Sequence, residues 1–158
     1  IGTSDIHGIV DWQYKIPSGG HRPVTLVFAT EKTQASIKNA LKDGRTAIWF
    51  NKKLIGREEF LIPLISASIE IESARYLNNS TVAHVVMRNN SDAPYILKNI
   101  GEFTFHNETN VITIPPHERR ILDVRTIDKK REFNLSFEVL SALVSPKTHP
   151  KLDLLIRL

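Results

Sequence analysis

The chain has 158 residues, of which 41% are apolar and 24% are charged, and its formal net charge is +4. This length fits one domain, or one domain and part of another, with enough apolar residues for a real core. The absence of cysteine excludes disulfides, thiolate metal sites and a cysteine nucleophile. No apolar run approaches the roughly 20 residues of a membrane-spanning helix and no signal peptide is recognisable, so we expect a soluble protein.

The chain opens on Gly-Thr-Ser-Asp-Ile-His-Gly, in which Asp5 and His7 stand two residues apart. We predict that they lie at the end of a strand, where side chains at i and i+2 point the same way. A carboxylate and an imidazole together suit Zn, Mn or Fe. From the tripeptide alone, a surface aspartate beside a turn histidine is the favoured interpretation, because two ligands do not make a metal site.

Residues 8–23 are predicted to form a long loop, since prolines and glycines interrupt any regular pattern there. Trp12 and Tyr14 on this loop could stack on a substrate or pack between domains. His21 and Asp11 are the residues to which we would turn first for further metal ligands.

Residues 24–50 are predicted to form a strand–helix–strand unit. A β-branched run at 24–29 indicates the first strand, Thr33 is a candidate helix N-cap, and Gly44 ends the helix before a second strand. Arg45 could contact phosphate or simply pair with a carboxylate. A short helix is predicted near 56–65. Short connections of this kind are typical of an α/β layer.

From about residue 66 the apolar runs become strand-like. Residues 131–139 and 151–158 alternate apolar and polar side chains, and turns rich in Asn, Ser and Pro separate the runs. This pattern is typical of an antiparallel, immunoglobulin-like β-sandwich of about seven strands. His84 alternates with two valines, so we predict a hydrogen-bonded sandwich histidine and not a ligand.

Four segments in this order carry a family resemblance: GTSDIHG from Gly2, RPVTLVFA from Arg22, IKNALKDGRT from Ile37 and GREE from Gly56. Through them, residues 1–65 resemble the C-terminal end of the polymerase and histidinol phosphatase (PHP) superfamily, whose similar members are bacterial metal-dependent phosphoesterases. These proteins build a distorted (β/α)7 barrel that holds two or three metal ions. The resemblance implies that an S-D-x-H motif on a late strand supplies Asp5 and His7 as metal ligands.

The resemblance also implies that ligands lie elsewhere, because the family needs an early H-x-H motif, a further Asp or Glu and middle histidines. None of these precedes Asp5, and the chain does not begin with Met. We therefore expect a mainly β chain of the α+β class. Residues 1–65 would be a strand–helix–strand remnant of the PHP barrel, and residues 66–158 the immunoglobulin-like sandwich. Divalent metal ions would belong to the full-length protein, and this part alone would bind them weakly or not at all.

Two functions remain open for the chain. The first is the C-terminal fragment of a phosphoesterase that hydrolyses phosphate mono- or diesters of a small molecule, inactive alone and with catalytic residues unknown. The alternative is a non-catalytic β-sandwich binding or interaction module. A nucleic-acid partner is not expected, since acidic residues frame the densest basic run, at residues 129–131.

A barrel piece without its partners would expose apolar surface. It should pack on the sandwich, be poorly ordered or drive homo-oligomer formation. The sequence leaves the compartment open, and family members of this kind can be exported.

Overall fold

A computed structural model describes all residues, 1–158, and arranges twelve strands in three four-stranded sheets. The helices are α1 (Val10–Tyr14), α2 (Gln34–Lys42) and α3 (Glu58–Ser68), with one 3-10 turn at Ile16–Ser18. The strands are β1 (Val24–Val27), β2 (Thr46–Phe50), β3 (Lys53–Gly56), β4 (Ile69–Tyr76), β5 (Val82–Asn89), β6 (Tyr95–Asn99), β7 (Thr104–Phe105), β8 (Val111–Ile114), β9 (Arg119–Arg125), β10 (Glu132–Val139), β11 (Ala142–Leu143) and β12 (Lys151–Arg157). None of the helices combines the length and the apolar character that crossing a membrane requires.

The N-terminal sheet has the strand order β1-β2-β3-β11. The predicted strand–helix–strand unit is present, and the Thr33 side chain caps α2 by accepting a hydrogen bond from the Ser36 amide at 3.2 Å. However, β1 and β2 pair antiparallel, whereas consecutive strands of a (β/α) barrel run parallel. The unit is therefore not a parallel crossover of the kind that barrels contain.

The hairpin between β2 and β3 was not predicted. Asn51 and Lys52 both have positive φ, at 49° and 63°, which is the backbone of a two-residue type I′ turn. Lys52 occupies the position where glycine is the usual signal for this turn. The helix predicted near 56–65 is α3, which contains Pro63 and continues directly into β4. The predicted boundary between residues 65 and 66 thus falls inside a helix.

The sandwich consists of two antiparallel sheets, with the orders β4-β5-β9-β7 and β12-β10-β6-β8. The predicted alternation on β10 is confirmed, because its apolar side chains are buried while the residues between them are exposed or half-buried. These side chains line the core that the two sheets share: Phe133, Leu135, Phe137 and Val139. The chain is therefore mostly β, as predicted, with eight strands in its sandwich.

One continuous apolar core joins the N-terminal sheet to the sandwich. It contains 24 buried residues and includes Ala47 and Leu54 from the sheet. Helix α3 contributes Leu61 and Ile65, both completely buried. Of the outcomes expected for residues 1–65, packing against the sandwich is the one that the structure shows.

The Tyr76 hydroxyl, at the end of β4, forms hydrogen bonds with the loop after β9. It accepts a hydrogen bond from the Lys130 amide at 2.6 Å and lies 3.2 Å from the Thr126 hydroxyl. We expect Tyr76→Phe to lower the free energy of unfolding by about 1–2 kcal/mol, because it leaves that half-buried amide without its acceptor. Urea unfolding of the variant checks this. Tyr14→Phe, which removes a single hydrogen bond donated to the Ser4 carbonyl, is the comparison. A loss in Tyr76→Phe no larger than the loss in Tyr14→Phe would contradict the assignment.

Glu72 lies between two arginines on the outer side of the β4-β5-β9-β7 sheet. A hydrogen bond from Arg119, together with the charges of Arg119 and Arg88, lowers the pKa of the Glu72 carboxyl below its ordinary value of 4.5. A carboxyl with a lowered pKa stabilises the fold above pH 4.5 and loses this contribution as the pH falls through the folded-state value. We therefore expect the stability difference between the wild type and Glu72→Gln to shrink below pH 4.5. Thermal unfolding between pH 3 and 7 measures it. Glu70→Gln is the control, and a difference independent of pH would contradict the prediction.

Candidate functional site

The predicted metal ligands lie in an extended segment that precedes α1, which we call the N-terminal strap (residues 1–7). The prediction that Asp5 and His7 end a strand is wrong, because no residue of the strap pairs in a sheet. Asp5 has a φ of 42°, in the left-handed region, so the alternation of an extended strand is broken there. Aspartate is among the residues that tolerate this region, which explains why the Ser-Asp sequence permits the bend.

Side chains from β1 and α1 hold the strap in place. The Gly2 amide donates to the Thr25 hydroxyl at 3.0 Å, and that hydroxyl donates back to the Gly2 carbonyl at 3.1 Å. A Cβ atom at Gly2 would lie 2.7 Å from the Ile48 side chain, so only glycine fits this approach. The Tyr14 hydroxyl donates to the Ser4 carbonyl at 3.1 Å. Asp5 therefore follows an anchored segment.

The His7 ring has a defined tautomer. Its Nδ1 lies 3.1 Å from the Asp5 carbonyl oxygen. Because a carbonyl can only accept, Nδ1 is the donor, and in the neutral ring the lone pair is then on Nε2. A histidine that donates through one nitrogen to a backbone carbonyl and offers the other is the usual arrangement of a metal ligand. Both Asp5 and His7 are exposed, so the carboxylate and Nε2 are accessible.

The strap fits a metal ion as part of a ligand set. A carboxylate and an imidazole suit Zn, Mn or Fe, but such sites take at least three protein ligands. The structure brings no group of three or more His, Asp or Glu side chains together anywhere in the chain.

The other candidates from the sequence have local structural contacts. His21 stacks on Trp49, with ring centroids 4.2 Å apart, and its Nδ1 donates to the Arg22 carbonyl. Arg45 pairs with Asp43 at 3.4 Å, the carboxylate partner considered from the sequence. These contacts give His21 and Arg45 roles in packing and charge pairing.

The exposed residues of α1 make fewer contacts. Trp12 is 80% exposed, and Asp11 is exposed as well. Tyr14, besides its hydrogen bond to the strap, meets the edge of Phe50 with ring centroids 6.0 Å apart. Of the two aromatic side chains on this segment, Tyr14 packs within the chain and Trp12 faces solvent.

The sandwich contains two histidine–aspartate pairs whose aspartate partners were not predicted. His84 Nδ1 lies 2.8 Å from Asp123, as expected for a hydrogen-bonded sandwich histidine. His117 Nε2 lies 2.7 Å from Asp92 on the surface. Direct cross-strand pairing of β5 with β9 creates the first pair. The sequence carries no signal for these pairs, because strand register and loop packing bring distant residues together.

The strap crosses one face of the N-terminal sheet, which we call the outer face. A row of directly paired residues, one from each strand, runs along it: Thr25, Ile48, Ile55 and Leu143. The neighbouring row on the opposite face contains Trp49, Leu54 and Ala142, which pack into the core. Ile48, Ile55 and Leu143, with Ile1 of the strap, line an open cleft of about 590 Å³.

Comparison with known proteins gives a family and one solved relative. The sequence model of the DUF5001 family, described as an Ig-like domain, matches residues 69–155, which run from β4 into β12. No curated protein matches the sequence.

The solved relative is a two-domain protein from Bacteroides vulgatus that contains a predicted PHP-like metal-dependent phosphoesterase. Its crystal structure is similar to 99% of this chain, with a TM-score of 0.85 and 30% sequence identity. The chain spans 45% of the length of that protein. The resemblance to PHP-type proteins that the sequence carries is thereby confirmed, and so is its combination with an Ig-like domain. Because residues 69–155 make up more than half of the chain, it belongs to the DUF5001 family of Ig-like domains.

Proposed function

We propose that this chain is the C-terminal region of a metal-dependent phosphoesterase in which the N-terminal strap contributes metal ligands. One observation carries this proposal: 99% of the chain is similar, at 30% identity, to part of a protein that contains a predicted PHP-like phosphoesterase. The strap motif supports it, since Asp5 and His7 are the ligand types that such a centre needs.

In this proposal the Asp5 carboxylate and His7 Nε2 hold one edge of the metal site. The rest of the ligand set comes from the part of the protein that this chain does not include. Such a metal, when bound, lowers the pKa of water and polarises a phosphoryl oxygen. The residues of this chain orient the ion. The hydrogen bond from His7 Nδ1 to the Asp5 carbonyl fixes the ring. The substrate class is a phosphorylated small molecule, as a mono- or diester.

The N-terminal sheet then forms a layer between the barrel and the sandwich. We infer that the strap is the barrel's last ligand-bearing segment and that residues 24–65 lie at its margin. The antiparallel pairing of β1 with β2 supports a marginal position, because the barrel strands themselves run parallel. Leu61 and Ile65 belong to the core that this layer shares with the sandwich, so the two pack against each other.

The experiment is an assay of the whole gene product with chromogenic phosphate mono- and diesters. We expect hydrolysis that a chelator abolishes and that added Zn, Mn or Fe restores. Hydrolysis unaffected by thorough chelation, or absent with every one of these metals, would contradict the proposal.

A second function, a non-catalytic interaction module, is favoured by the completeness of the sandwich. The Ig-like match covers more than half of the chain, and its two sheets enclose most of the core. If this function is the true one, the gene product neither binds metal nor hydrolyses either ester. The same assay therefore decides between the two.

A further inference from the structure

We propose that the outer face of the N-terminal sheet is the docking surface for the other domain of the phosphoesterase. The inference rests on the two-domain organisation in the proposed function, and it names the surface through which the metal site is completed. Its occupant is the domain that, in the two-domain relative, lies outside the region matched by this chain.

The outer face is apolar and incompletely covered. Ile55 is 41% exposed, while Ile48 and Leu143 are half-buried. Together they border one open cleft of about 590 Å³. Contiguous exposed apolar surface of this kind marks an interaction site, whereas single exposed side chains are normal.

An exposed isoleucine on a sandwich strand has different neighbours. Ile121 is 50% exposed on β9, but its same-face neighbours two residues away are Arg119 and Asp123. Ile121 thus has charged neighbours along its strand and one apolar partner across it, Val86. Ile55 pairs directly with two apolar residues, Ile48 and Leu143. The apolar row therefore distinguishes the outer face from the surface around Ile121.

The position of the strap indicates which part of the protein covers the outer face. Gly2 is hydrogen-bonded to Thr25 and lies against Ile48, so the strap runs along the edge of the cleft. More than half of the related two-domain protein lies outside the matched region. A domain docked here would also lie beside Asp5 and His7, the two ligands that need partners.

Thiol labelling tests the proposal directly, because the chain contains no cysteine. Single variants Ile55→Cys and Ile121→Cys are made in the whole gene product, and peptide mapping locates the modified residue. The two positions have similar exposure within this chain, so their labelling rates should be similar if nothing covers either. We expect position 55 to react at least about tenfold more slowly, since the domains must separate first. In denaturant the rates should become equal.

Equal rates in the native protein would overturn the proposal. Ser145→Cys, an exposed position at the same cleft, provides a second probe if Ile55→Cys perturbs the fold. Light scattering over a range of concentrations identifies a competing occupant. If protection appears only as the protein self-associates, a second copy covers the face and the proposal is wrong.

The labelling experiment can contradict domain docking without contradicting the proposed function, and the hydrolysis assay can do the reverse. A protected thiol in a protein without metal-dependent hydrolysis would retain the interface and contradict the enzyme. An unprotected thiol in a metal-dependent phosphoesterase would retain the enzyme and overturn the interface. Asp5→Asn should leave the protection unchanged, because that substitution removes a ligand and not an apolar contact.

Discussion

In the whole gene product, Asp5→Asn and His7→Asn are each expected to lose bound metal and most phosphoester hydrolysis. Removing an outer-shell partner of a metal site typically costs roughly 10–100-fold in affinity or activity, and removing a ligand should cost at least as much. The first substitution offers a neutral amide oxygen in place of a carboxylate, and the second removes the free imidazole nitrogen. Both native side chains are exposed, so the free energy of unfolding should change by less than about 0.5 kcal/mol.

The chain contains a matched control for these substitutions. Asp92 and His117 form another exposed aspartate–histidine pair, 2.7 Å apart, on the Ig-like sandwich. Asp92→Asn and His117→Asn should leave metal content and hydrolysis unchanged. Metal analysis by mass spectrometry and steady-state rates measure both sets. Equal metal content in the wild type and the strap variants would show that the strap is not part of the site.

Asn89→Ala is expected to lower the free energy of unfolding by about 3 kcal/mol, because it removes a buried side chain that makes several hydrogen bonds. The Asn89 side chain is completely buried. Its Nδ2 donates to the carbonyls of Ala93, Pro115 and Ile114 at 2.8, 3.0 and 3.3 Å. Its Oδ1 accepts from the amide and hydroxyl of Ser91 at 2.9 and 2.8 Å. Alanine would remove all five of these hydrogen bonds and leave a gap at a buried position.

The neighbouring asparagine is the control. Asn90 is exposed, and its side chain makes one hydrogen bond, to Glu70 at 2.9 Å. Asn90→Ala should therefore change the free energy of unfolding by less than about 0.5 kcal/mol. Chemical denaturation of both variants, with the slope of the transition compared, measures the difference. Equal effects at the two positions would contradict the account of the turn between β5 and β6.

The elements that local pattern determines were predictable from the sequence. The alternation in residues 131–139 places alternate apolar side chains in the core, and β10 has that pattern of burial. Thr33 was predicted to cap α2, and it does so because the cap depends on contacts within one turn. A strand with one apolar face and a helix N-cap are each determined by a few neighbouring residues in the sequence.

Elements that depend on distant residues were not predictable. Strand β11 has two residues and exists because it pairs parallel with β3, which lies far earlier in the chain. The face that β2 buries was also undetermined, because Trp49 and Ile48 are both apolar. Burial of Trp49 follows from where α3 and the sandwich lie, and only the tertiary arrangement settles that.

The residue types of the candidate site were predictable from the sequence, but their arrangement in space was not. The S-D-x-H motif drew attention to Asp5 and His7 through a family resemblance. The conformation at Asp5 was mispredicted, because a single left-handed residue breaks the strand. The apolar outer face became visible only when strand pairing placed Ile48, Ile55 and Leu143 in one row.

The most direct test of the account is the native mass of the freshly expressed gene product, measured before and after chelation. We expect a mass well above the 17.9 kDa of this chain, and a decrease on chelation equal to the mass of the bound divalent metal. The Asp5→Asn/His7→Asn double variant should show no such decrease. A product of 17.9 kDa, or a larger one whose mass chelation leaves unchanged, would contradict the assignment of this chain to a metal-dependent phosphoesterase.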